Sequence, residues 1–124
     1  MPTSAQAFES KSMAAPDEVR KFDKGKVELV KVAGATIGRA SFEPGWKWSA
    51  SVKPLAQTNS CQAAHFGYQI SGTMTTRMDD GTEWTSKAGD VVNIPAGHDA
   101  WVVGNEPVVI IDFQGMVDYG KQSK

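Results

Sequence analysis

Three residues of this 124-residue chain combine the side-chain types that bind transition metals or act as nucleophiles: Cys61, His65 and His98. They are its one cysteine and its two histidines. On a strand, the even spacing of Cys61 and His65 puts both on one face. One thiolate and two imidazoles make a zinc site with a fourth position left open for water or substrate. A thiolate favours zinc or copper over magnesium or calcium, and iron remains a third choice. The competing expectation is structural. A lone cysteine in an apolar strand is usually a small buried hydrophobe, and a histidine there can simply satisfy a backbone group. Four residues of extended strand also span about 13 Å. Direct contact between Cys61 and His65, as nucleophile and base or as ligands of one metal, therefore requires a bend.

A second group of residues could wall a ligand pocket: Trp46, Trp48, Gln69, Met78 and Trp101. Indole rings stack on flat or apolar ligands and offer an N–H donor. Gln69 shares the His65 face, and Met74, Thr76 and Met78 alternate along one strand. Ordinary core packing is the alternative for each tryptophan, and Trp84 is assigned to packing. No glycine-rich phosphate loop and no Gly-x-Ser-x-Gly elbow occurs. Asp79-Asp80-Gly81 reads as turn chemistry.

The elements that must position these groups are strands. Val27–Val32 and Ala35–Phe42 are β-rich. Pro44-Gly45 precedes a strand carrying Trp46 and Trp48 on one face. Lys53–Ser60 reads as a loop, Cys61–Ile70 as one long strand and Gly72–Met78 as another. Asp79-Asp80-Gly81 is a hairpin signal. Glu83–Thr85, Val91–Ile94, Trp101–Val103 and Val108–Phe113 complete the set. Residues 1–16 suggest a mobile arm or one packed on a partner subunit, with a single helical turn over Asp17–Arg20. Residues 17–124 form one all-β domain, an antiparallel sandwich or barrel.

Two segments narrow that choice. His65-Phe66-Gly67-Tyr68-Gln69-Ile70-Ser71-Gly72 and Gly89-Asp90-Val91-Val92-Asn93-Ile94-Pro95-Ala96-Gly97-His98, with the Asp-Gly hairpin between them, resemble the two motifs of the cupin superfamily. The resemblance covers about Phe42 to Gly115. It implies a jelly-roll barrel, a double-stranded β-helix of the small single-domain type. Counted back from Gly72, His65 stands where the family has a glutamate, Cys61 at its second histidine and Asn59 at its first. In the second motif the family histidine position is Ala100, with His98 two residues earlier. All four family ligand positions are changed, and Cys61, His65 and His98 are what the chain offers instead.

Charge and composition exclude some classes. Thirteen basic and fourteen acidic side chains create no field that would draw nucleic acid or an anionic membrane. The longest apolar stretch, Val108–Ile111, is far too short to cross a bilayer. A single cysteine and a polar amino terminus suggest the cytoplasm. The leading expectation is a barrel that binds a small molecule without a catalytic metal. The alternative is a metal-dependent oxygenase, isomerase or lyase using the Cys/His/His set. The resemblance also implies a homodimer.

Overall fold

The computed structural model describes residues 7–121. Nine strands follow in order: β1 (Glu18–Phe22), β2 (Gly25–Val32), β3 (Ala35–Phe42), β4 (His65–Ser71), β5 (Thr73–Met78), β6 (Glu83–Lys87), β7 (Val91–Ile94), β8 (His98–Val103) and β9 (Val108–Asp112). Two short helices, α1 (Trp48–Ser51) and α2 (Lys53–Ala56), lie between β3 and β4. A six-stranded sheet has the order β1-β2-β3-β9-β4-β7, and a three-stranded sheet the order β6-β5-β8. All pairings are antiparallel. No helix among the described residues is long and apolar enough to cross a membrane.

Strand alternation builds the core. Val27 and Leu29 on β2, Ala40 and Phe42 on β3, and Val108 and Ile110 on β9 all point inward and are buried. Ala33 and Gly34 both have positive φ (50° and 79°), the backbone of a two-residue hairpin whose twist matches its flanking strands. Phe42 and Trp46 stack with ring centroids 3.8 Å apart, which fixes the chain as it leaves β3.

Three local expectations are corrected. The Asp17–Arg20 turn is β1: Glu18 to Phe22 pair with Gly25 to Leu29, a ladder that the local sequence does not announce. Trp46 and Trp48 do not share a strand, because Trp48 opens α1 and Lys53–Ala56 adds a second turn before Gln57 ends it in the left-handed region. Both indoles still reach the core, each 2% exposed. Finally, the strand expected over Cys61–Ile70 begins only at His65, and Cys61 makes an isolated bridge to His98. Of the arm expected over residues 1–16, residues 1–6 lie outside the described residues. In the remainder, Lys11 pairs with Asp17, and Glu9 accepts a bond from the Ala33 amide.

After β9 the chain turns back as an irregular strap, residues 113–121, over the end of the barrel that holds His65. Met116 and Tyr119 are its buried anchors. Tyr119 meets Phe22 and His65 edge-on, and Met116 fills the space beside Gly38. Gly115 is needed because a Cβ there would collide with the His65 ring and the Ala64 carbonyl. The buried Arg20 guanidinium ties the strap down, donating to the carbonyls of Met116 (3.1 Å), Tyr119 (2.8 Å) and Val117 (2.9 Å). Glu18 holds the guanidinium from the other side at 2.7 Å. Arg20→Ala should therefore cost about 2–4 kcal/mol, since three carbonyls lose a charged donor. Urea unfolding followed by tryptophan fluorescence measures this, and a loss below about 1 kcal/mol would mean the strap is held elsewhere.

Candidate metal centre

Cys61 and His98 are brought together by backbone hydrogen bonds. The Cys61 amide donates to the His98 carbonyl at 2.7 Å, and the amides of Gly97 and His98 donate to the Cys61 carbonyl at 2.7 and 3.3 Å. Residues 62–64 belong to no strand, and β4 begins only at His65. Cys61 and His65 therefore do not sit on one regular strand, and Cys61 Sγ comes 3.7 Å from His65 Nε2. The rings of His65 and His98 lie 5.3 Å apart, near perpendicular. One ligating atom from each of Cys61, His65 and His98 falls within 4.8 Å of the others.

The far side of each imidazole is already engaged. His98 Nδ1 lies 2.7 Å from the Pro95 carbonyl, which can only accept, so this nitrogen carries a proton and Nε2 is the atom left to face the site. His65 Nδ1 lies 2.5 Å from Asp112 Oδ2. The other oxygen of Asp112 accepts from the amides of Gln114 and Gly115, both at 2.9 Å. A ring nitrogen tied to a carboxylate or carbonyl is the outer-shell arrangement that orients metal-binding histidines.

The electrostatics match. Burial alone would push the Cys61 thiol up, but hydrogen bonds from His65 and His98 and their charge hold it down at about 6. Burial alone would lower His65, but Asp112 and the Cys61 thiolate raise it to about 9. Asp112 stays ionised: burial opposes this, and His65 with the two backbone amides outweighs it. Burial, then the negative charge of Cys61 and Asp112, pushes the Tyr119 phenol well above its ordinary range, so it remains neutral. Without a metal the site therefore holds a thiolate and an imidazolium near neutral pH, two charges that titrate as a pair.

These residues fit a divalent ion. Tetrahedral zinc with Zn–S near 2.3 Å and Zn–N near 2.05 Å sets sulfur and nitrogen about 3.6 Å apart, close to the observed 3.7 Å. Cys61 Sγ, His65 Nε2 and His98 Nε2 can supply three ligands and leave a fourth position.

Two cavities meet here. An outer one of about 610 Å³ reaches Cys61 between α1, α2 and the strap. An inner one of about 30 Å³ touches His65, His98, Trp46 and Met74, and Trp48 and Tyr119 border both. The Trp46 Nε1–H is buried without an acceptor among the described residues. Gln69, Met78 and Trp101 line neither cavity. Gln69 lies four residues along β4 from His65, bonded to the Gly72 and Ser86 carbonyls. Met78 faces a separate groove with Trp84. Trp101 falls on the outward parity of β8, under the Lys47 ammonium at 5.1 Å.

The fold can now be compared with known structures. A cupin-like protein from Thermotoga maritima superposes with a TM-score of 0.53 at 19% identity, over 77% of this chain and 72% of that one. The oxalate decarboxylase of Lactobacillus farciminis gives 0.56 at 19% identity, over 82% of this chain and 32% of its own. That of Bacillus subtilis gives 0.55 at 24% identity, over 83% and 29%.

This chain has the cupin fold.

No family model and no curated protein matches the sequence. This cupin barrel spans about a third of each decarboxylase chain. Asp112 and Tyr119, which flank His65, are not among the residues that the sequence singles out. A signal existed for the first: on a strand, Asp112 shares the inward parity of Val108 and Ile110, and an inward carboxylate needs a partner.

Proposed function

We propose that this cupin is a zinc-dependent isomerase or lyase that acts on a small uncharged organic molecule at a Cys61/His65/His98 centre. The observation that carries this is the convergence of one ligating atom from each of Cys61, His65 and His98 within 4.8 Å, with each ring held through its Nδ1. It favours a metal-bearing barrel over a metal-free pocket. Zinc has no redox chemistry of its own, so it would polarise a carbonyl or activate a water.

The charge balance argues for a neutral substrate. A divalent ion (+2), the Cys61 thiolate (−1) and Asp112 (−1) sum to zero. The outer cavity offers Trp48, Val52, Ala56 and Ala63 with the carboxamides of Gln62 and Gln114. Its one lysine, Lys121, is paired with Asp118. The oxalate decarboxylases are named for a dianion, and such a ligand would find little here to offset its charge.

The test is a fluorescence titration of zinc-loaded protein with small ketones, aldehydes and amides, set against oxalate and malonate. A response to neutral compounds that disappears on chelation and in His98→Ala supports the proposal. A response to the dianions alone, or one indifferent to metal, contradicts it.

The proposal extends to a homodimer. Phe66, Tyr68 and Ile70 alternate outward on β4, with Val91 beside Tyr68 on β7, and all four are about half exposed or more. A two-fold axis would cover this patch with its own copy. Sedimentation should give a dimer that Tyr68→Glu weakens; a monomer at high micromolar concentration would refute it.

A further inference from the structure

Cys61, His65 and Asp112 form a chain of contacts that functions without a metal. Sγ lies 3.7 Å from His65 Nε2, and His65 Nδ1 lies 2.5 Å from Asp112 Oδ2. The Gln114 and Gly115 amides hold the second carboxylate oxygen, and this aims the first at the ring. Nucleophile, base and orienting carboxylate are thus linked in the order that defines a catalytic triad, a constellation recognised by geometry on unrelated folds. The outer cavity opens onto Cys61, so a substrate has a route to sulfur.

We propose that the metal-free protein is a cysteine-dependent acyl-transfer enzyme, taking the acyl group of a small uncharged ester onto Cys61. The proton shared by Sγ and His65 rests on Nε2 as the thiolate attacks the carbonyl carbon. The C–S bond forms, the C–O bond breaks, and the leaving oxygen takes the proton from Nε2. Water then gives a proton to the same nitrogen and attacks the thioester. The C–S bond breaks and the thiolate returns beside the protonated Nε2, so ester and water become acid and alcohol. Asp112 acts as a positioning residue that keeps Nε2 directed at sulfur. Zinc and the acyl donor would compete for the same sulfur and nitrogen, which makes metal occupancy an off-switch for this activity. The activity goes beyond the proposed zinc function and does not depend on it.

The experiment uses the full chain, stripped with chelator, and p-nitrophenyl acetate. Release of p-nitrophenolate and the acetyl mass on the Cys61 peptide are both followed. Acylation is expected to run about a hundredfold or more faster than in the same chain unfolded in urea, the range of general-base assistance. Asp112→Asn should lower the acylation rate constant at least about tenfold while leaving the half-saturating ester concentration unchanged, and Asp112→Glu should restore part of it. If Asp112→Asn does not fold, His65→Gln provides the same comparison. Reloading with zinc should abolish labelling. The proposal is overturned if folded and unfolded chains acylate alike, if the variants match the parent, or if zinc-loaded protein is acylated as fast. Zinc affinity is measured in parallel by equilibrium dialysis, so failure of either proposal is read separately.

Discussion

Cys61→Ala and His65→Ala should each lower zinc affinity by more than the roughly 10–100-fold that loss of an outer-shell partner costs. Each removes one of three protein ligands, and three is the usual complement of a zinc site with an open position. Asp112→Asn keeps all three and loses only the anion behind His65, so it should fall inside that range. His98→Ala belongs with the first pair, because Nε2 is the ring nitrogen left for an ion while the Pro95 carbonyl holds Nδ1. Competition titration against a fluorescent chelator ranks the four variants. Equal small losses for all would show that the ligand set is wrong. A larger loss for Asp112→Asn than for Cys61→Ala would move the ion onto the carboxylate.

In the metal-free protein, alkylation of Cys61 by iodoacetamide should rise with a midpoint near pH 6 instead of near 9.0, the ordinary thiol value. At pH 7 that is about 90% thiolate against about 1%, a ratio near ninety. The gain in rate is smaller, because a thiolate of lower pKa is a weaker nucleophile. With a Brønsted coefficient of about 0.4–0.5, three units of acidity cost roughly 15–30-fold. The net advantage at pH 7 is therefore only about three- to sixfold, and the decisive feature is the midpoint.

Stability should behave differently. The depressed Cys61 value contributes fully above pH 9 and is lost as pH falls through about 6. The raised His65 value contributes fully below 6.5 and is lost as pH rises through about 9. The opposing slopes offset between pH 6.5 and 9. Melting temperature should thus stay nearly flat from about pH 6.5 to 9, above the midpoint of the reactivity change. A midpoint near 9 would mean that His65 and His98 do not stabilise the thiolate.

The barrel itself was legible in the sequence because strands with one buried face repeat every second residue. Val27, Leu29, Val108 and Ile110 follow that period, and the Pro95-x-Gly97 and Asp80-Gly81 punctuation marks the turns between strands. The cluster of Cys61, His65 and His98 was legible as a set of residue types. Its geometry was not. Cys61 is placed by its bridge to His98, a pairing across 37 positions that local pattern does not encode. Trp46 and Trp48 were read as pocket wall and do border the inner cavity, although a helix, rather than a strand, carries Trp48 there. Asp112 closes an apolar run and resembles a strand end until its inward parity is counted. The strap has no period at all. Its position rests on Arg20, in the segment expected to form a single helical turn.

Cobalt(II) substitution of the chelator-stripped protein tests the central claim most directly, because its spectrum reports both coordination number and sulfur ligation. One cobalt per chain is expected, with the strong visible bands of a four-coordinate ion and a near-ultraviolet thiolate charge-transfer band that Cys61→Ser removes. Cobalt that fails to stay with the protein, or that binds with a six-coordinate spectrum lacking the thiolate band, would contradict a Cys61/His65/His98 centre.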